Sequence, residues 1–232
     1  IKNLFDLPDN RKGSKVVAFP GPPTIQGGDF WKSQLENIKS LMYENIGAKH
    51  SASLFAEVLG ATIFDLITKE LIEIGENRQI EFKETFAINT HTAKKDDELK
   101  FATLREICGF LNTNDGVLLI GVRDPKNRKG EDGAIAGIQQ DGFSGDEDNY
   151  ILQITNSVNS AMGLIAASLV DPKIIKLEGQ NICRIECRKS SSMVYCSFSK
   201  KGQKAFGRYG SSTTEILPSE LAGWAVNYKL SI

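Results

Sequence analysis

At 232 residues, with 41% hydrophobic and 25% charged residues, the chain has the composition of an ordinary soluble globular protein, and that composition argues against disorder. A net charge of -1 and a pI near 6.2 give no global attraction to nucleic acid, so a nucleic-acid site has to come from local clustering of Lys and Arg. No apolar run is long enough to cross a bilayer and no charged-then-apolar leader opens the chain, so a cytoplasmic protein without a membrane partner is expected.

Residues 1–28 are rich in Gly, Pro, Asp and Lys and predict an extended arm. Helical spacing follows at Trp31, Leu35, Ile38 and Leu41, and again from Ser51 to Ile74 through Phe55, Val58, Leu59, Ile63, Phe64, Ile67 and Leu71. These 74 residues are expected as an arm plus helical appendage that caps the main domain or docks a partner, with Gly75 as the boundary of a domain over 75–232.

The centre of the chain is Glu76 to Asp124. Ile80 and Phe82 alternate with charged neighbours at the period of a half-buried strand, which places Glu81 and Lys83 on one face. Ala87 to Asp97 reads as a polar loop whose Lys94 and Lys95 either hold a phosphate backbone or are simply solvated. Leu99, Ala102, Leu104, Ile107, Cys108, Phe110 and Leu111 then form one helical stripe. Asn112-Thr-Asn-Asp-Gly116 predicts a helix stop and a tight turn tolerant of left-handed angles. The apolar run from Val117 to Val122 suits a strand buried on both faces and ends at Asp124.

Beyond it, Pro125 to Gly133 carries Lys126, Arg128 and Lys129, and Ala134 to Ile138 reads as a short returning strand. Asp141 to Asp148 is acidic and expected to be flexible. Tyr150 to Leu169 has helical spacing, and Lys173–Leu177 and Asn181–Arg188 read as strands joined at Glu178-Gly179. Met193–Phe198 and Lys204–Tyr209 are expected to continue the sheet, and Pro218 to start a last helix reaching Tyr228. The sum is an α+β domain with a mixed, largely antiparallel sheet flanked by helices. Cys108, Cys183, Cys187 and Cys196 lack metal-site spacing, and Cys183 and Cys187 alternate with Ile185 as core thiols would.

Glu76, Glu81 and Asp124 carry the sharpest chemical reading. Carboxylates from separate strand ends suit a hard cation such as Mg2+ or Mn2+, which activates water and neutralises charge at a phosphodiester. Lys83 would then serve the phosphate or the leaving group. The plain alternative is a set of surface acids, with Asp124 capping a turn. Gly207-Arg208-Tyr-Gly-Ser-Ser212-Thr213-Thr214 offers hydroxyls and a guanidinium to phosphate oxygens, or else a strand followed by a capped helix. No phosphate-loop motif occurs, and His50 and His91 have no nucleophile arrangement around them.

Taken in order, Glu76-x4-Glu81-Phe-Lys83, Phe110-Leu-Asn-Thr-Asn-Asp-Gly116, Leu118-Leu-Ile-Gly-Val122 and Phe206-Gly-Arg-Tyr-Gly-Ser-Ser-Thr213 resemble the Schlafen AlbA-2 domain over roughly residues 75–228. The resemblance implies a nuclease centre at Glu76, Glu81 and Asp124, with Mg2+ or Mn2+, acting on structured RNA such as tRNA in preference to DNA, in stress or antiviral defence. Arg123 stands where the family often has a second acid. Schlafen cores have two lobes and one is visible here, which implies a homodimer or larger assembly. Family members without nuclease chemistry imply a DNA- or RNA-binding module of a transcriptional regulator, or an interaction or sensor domain of a larger defence protein, as alternatives.

Overall fold

The computed structural model describes residues 63–124, 133–199 and 202–230. The expected arm, the first predicted helix, Lys126 and Arg128 lie outside them.

The architecture is α+β. A four-stranded sheet runs in the order β1 (Ile80–Lys83), β4 (Gly116–Ile120), β6 (Gln180–Cys187), β5 (Val170–Leu177), with β1 parallel to β4 and the other pairs antiparallel. Every residue of β4 is buried because both its faces are covered. Leu118 and Ile120 join Ile107, Phe110 and Leu111 of helix α2 (Asp97–Leu111) and Ile154 and Val158 of helix α3 (Glu147–Met162). Val117 and Leu119 face the other way, onto Ile63, Leu66 and Leu71, around helix α1 (Thr68–Ile74). The period of two along a strand thus explains the unbroken apolar run.

The same period sorts β1 and β6. Ile80 and Phe82 lie with α1, whereas Cys183, Ile185 and Cys187 enter the α2 and α3 side. All four thiols are buried and free, and burial pushes Cys196 up to about 11 and the others higher. The turn joining β5 to β6 has positive φ at Glu178 (51°) and Gly179 (80°), as a two-residue hairpin requires.

Several elements differ from expectation. The strands after Ser190 do not continue the first sheet; β7 (Tyr195–Ser197), β8 (Gln203–Tyr209) and β9 (Ser212–Ile216) form their own antiparallel sheet. Thr213 and Thr214 therefore sit in a strand rather than before a helix. Lys94–Lys95 is strand β3 of a small hairpin with β2 (Ile88–Asn89). Ala134 to Ile138 returns beside β4's exit through a single bridge, Val122 to Ile135, because Gly121 and Gly137 turn to positive φ. The run Tyr150 to Leu169 breaks at Gly163 (φ 87°), leaving a short α4 (Leu164–Ala167). The last helix, α5, spans Leu221–Tyr228, and Pro218 stays outside it because Leu217 and Glu220 close a separate turn.

Asp141, placed by sequence in a flexible acidic stretch, is buried. Its carboxylate accepts the amides of Phe86 (2.6 Å), Ala87 (3.0 Å) and Ile88 (2.9 Å) and the Tyr150 hydroxyl (2.7 Å). Four donors compensate the cost of burying the charge.

Candidate functional site

Among the described residues β1 is an edge strand whose only sheet partner is β4, so amides on its outer side need other acceptors. The preceding loop supplies one. Asn77 accepts the Gln79 amide through its side chain (2.8 Å) and donates its own amide to the Ile80 carbonyl (3.0 Å), and the loop folds back until Glu76 Oε1 accepts the Phe82 amide at 3.2 Å. Lys83 Nζ, two residues from Glu81 on the same face, lies 2.5 Å from Glu81 Oε1.

Because β1 and β4 are parallel, Lys83 and the chain leaving β4 toward Asp124 meet at one end of the sheet, where Lys83 O accepts the Gly121 amide at 2.8 Å. Burial first, then the charge of Glu81, raises the pKa of Glu76, and Asp124 adds to the rise. The Phe82 amide and Lys83 pull the other way. Glu76 therefore senses the charges of Glu81, Asp124 and Lys83.

Glu81 also faces inward. Its Oε2 accepts Arg208 Nη1 and Nη2 at 3.2 and 3.1 Å, and Arg208 Nη1 reaches Glu106 Oε2 of α2 at 2.8 Å. The remaining guanidinium hydrogens go to the carbonyls of Arg78 (3.1 Å) and Asn77 (2.7 Å), and the Thr213 hydroxyl both accepts from Arg208 and donates in a short bond to Glu106. The ring of Phe110 lies 4.4 Å from the guanidinium carbon. Arg208 was expected on phosphate. Its side chain instead has no solvent exposure and pins β1, the 76–79 loop, α2 and the β8–β9 hairpin together.

The turn after α2 is a second tie. Asn112, fully buried, donates to the Val194 and Phe206 carbonyls at 2.8 and 2.9 Å and accepts the Val194 amide at 2.7 Å. Its carbonyl accepts Trp224 Nε1 at 3.0 Å, and the Thr113 hydroxyl accepts the Arg208 amide at 3.0 Å. No residue from 112 to 116 has a positive φ. Gly116 is small for another reason, since a Cβ there would meet the Phe110 ring at 2.1 Å. Glu106 and Asn112 were missed as site residues, although Leu99, Thr103, Glu106 and Phe110 share a helical face, and a charge on that stripe was a readable signal.

The other candidates are dispersed. Lys94 and Lys95 are exposed on β3, Ser212 is exposed on β9, and Thr213 is buried. Carboxylates are the donors Mg2+ and Mn2+ prefer. Among the described residues, however, no three acidic, His or Cys side chains converge closely enough to hold a metal ion, and Lys83 and Arg208 occupy the two oxygens of Glu81. The arrangement does not fit such an ion as it stands.

These features define a mixed-sheet α+β domain whose acidic edge strand is anchored from behind by a buried arginine. The family described as Schlafen, AlbA_2 matches residues 76–217, more than half of the chain, and the chain belongs to that family. A crystal structure of the DIP2311 protein from Corynebacterium diphtheriae is similar at 15% identity with a TM-score of 0.46, over 66% of this chain and 29% of that one. The chain thus spans under a third of that protein's length. No curated protein matches the chain. Among the described residues no helix is long and apolar enough to cross a membrane.

Proposed function

We propose that this Schlafen AlbA_2 domain processes nucleic acid, cleaving structured RNA such as tRNA in preference to DNA at the strand end that carries Glu76, Glu81 and Lys83, with Asp124 on the chain leaving β4. The supporting observation is the pairing across Phe82: Glu76 is held on its amide, and Glu81 beside it is bound to the ammonium of Lys83. Lys83 would stabilise charge developing on the phosphate, and Glu76, half-buried among acids, would exchange the proton. Membership of the family supports RNA as the substrate class. A second copy of the chain completing the groove belongs to the same proposal and is read by light scattering.

The test is incubation of the purified protein with labelled tRNA and with single- and double-stranded DNA, in Mn2+, Mg2+ or EDTA. Because Glu81 is tied to Arg208, Glu76→Gln is the cleaner variant and Glu81→Gln its companion. RNA cutting that both variants lose while their melting holds supports the proposal; undiminished cutting refutes it. The EDTA arm reads the metal requirement directly.

The lack of a metal cage among the described residues favours a second reading, a nucleic-acid-binding module without turnover. It predicts intact RNA and a gel shift that weakens with salt.

A further inference from the structure

Arg78 sits in the loop whose carbonyls Arg208 holds, two residues from Glu76. Its side chain is exposed, its Nη2 donates to the Tyr228 hydroxyl at 3.0 Å, and its guanidinium carbon lies 5.9 Å from the centre of the Tyr228 ring. Lys189 Nζ, from the chain leaving β6, lies 5.7 Å from the same centre. In the amide orientation that satisfies both its ends, the Asn114 carbonyl accepts Arg78 Nε at 2.8 Å. These partners are all neutral. Among the described residues neither cationic head group is ion-paired, although the Asp115 carboxylate accepts the Lys189 backbone amide at 2.7 Å, so two positive charges are gathered around one ring.

The ring belongs to a stiff row. Trp224, buried and anchored on Asn112, stacks on Tyr228 at 4.5 Å and meets Tyr209 edge-on at 5.0 Å. Tyr209 is 58% exposed, so it has surface to offer. The cleft of about 470 Å³ beside Phe101 and Phe206 differs, because its Arg105 is paired with Glu106 and its Lys204 with Glu215. Cations held around the partly exposed Tyr228 ring, in one aromatic row with the exposed Tyr209 through Trp224, match a chain of phosphates and flat bases.

Given a nucleic-acid ligand, as proposed above, we infer that this patch is a binding site for single-stranded nucleic acid: Arg78 and Lys189 take phosphates, Tyr209 stacks a base, and the strand is led to the loop carrying Glu76. Tyr228 is the scaffold that positions both cations.

The experiment is fluorescence anisotropy of a labelled oligouridine over a salt series, with wild type, Arg78→Ala, Lys189→Ala, Tyr209→Ala and the triple variant, each checked by thermal melting. Each cation variant should lower the slope of log affinity against log salt by about 0.7, the single-strand value per phosphate. Tyr209→Ala should weaken binding by at least about fivefold with the slope retained. Wild-type affinity and slope in the triple variant overturn the inference, as does a wild type that binds no oligouridine. Wild-type RNA cleavage assayed alongside separates the two proposals: patch-dependent binding by a wild type that cleaves nothing upholds this site and sinks the reaction centre, whereas Glu76→Gln should keep the binding and lose only the cleavage.

Discussion

Two arginines meet the same short loop and do opposite work. Arg208 is fully buried, with its charge cancelled by Glu81 and Glu106 and its donors spent on carbonyls of residues 77 and 78. Arg78 is exposed and held by a tyrosine hydroxyl and an amide, with no acid partner among the described residues. The contrast teaches that charge near a candidate site is available for a ligand only where the protein has not already neutralised it. Arg208 shapes the acidic edge from behind, and Arg78 faces what approaches it.

The largest expected effect breaks the buried half. Arg208→Met leaves Glu81 and Glu106 without their common cation in the interior, and its unfolding free energy should fall by about 3–5 kcal/mol. Arg78→Ala should stay within about 0.5 kcal/mol of wild type. Urea denaturation of the two side by side measures the difference; equal losses would erase it.

Next comes Gly207, which lies under the row that supports Arg78. A Cβ there would stand 2.2 Å from the Trp224 ring, so Gly207→Ala forces the indole to move at a cost of about 1–3 kcal/mol. If Trp224 sets the positions of Tyr228 and Tyr209, the same variant should weaken oligouridine binding although it touches no cation. A destabilised variant with unchanged binding would detach the aromatic row from the ligand site.

The contrast between the arginines also marks what the sequence could convey. Alternation put Glu81 and Lys83 on one face and the unbroken run at 117–122 in a two-faced strand, because those signals are local and have period two. Arg208 sits between glycines and hydroxyl residues, a composition that reads as an exposed phosphate-binding turn. Its burial depends on Glu106, 102 residues earlier, and on a carbonyl 131 residues earlier. No local pattern carries such a pairing. Asn112 misled for the same reason: asparagine after a helical stripe signals a turn, and only the arrival of β7 and β8 turns its amide into a buried bridge. The separation into two sheets was likewise unreadable, since periodicity identifies a strand and not its neighbour.

Lys83 lies between the two extremes, bonded to Glu81 yet partly exposed. Lys83→Gln should cost about 1 kcal/mol or less, because Arg208 still neutralises Glu81 and a partly solvated pair is worth little. RNA cleavage should nonetheless fall sharply. A large stability loss with cleavage intact would place Lys83 with Arg208 as a structural cation.

The smallest effect is one of pH. Burial and the charges of Glu81 and Asp124 raise Glu76 above its ordinary value of 4.5. Below that value the folded and unfolded chains both carry the proton, and Glu76 contributes no slope. Above it the unfolded chain releases the proton first, so the native state binds more protons and stability falls as pH rises, until the folded group has also ionised. Glu76→Gln removes this loss. Its melting temperature should match wild type in acid, rise above it through the window and keep that lead at neutral pH. A gap that opens toward acid instead would mean that the amide of Phe82 and the ammonium of Lys83 outweigh burial and the neighbouring acids, and that Glu76 rests as a stabilised anion.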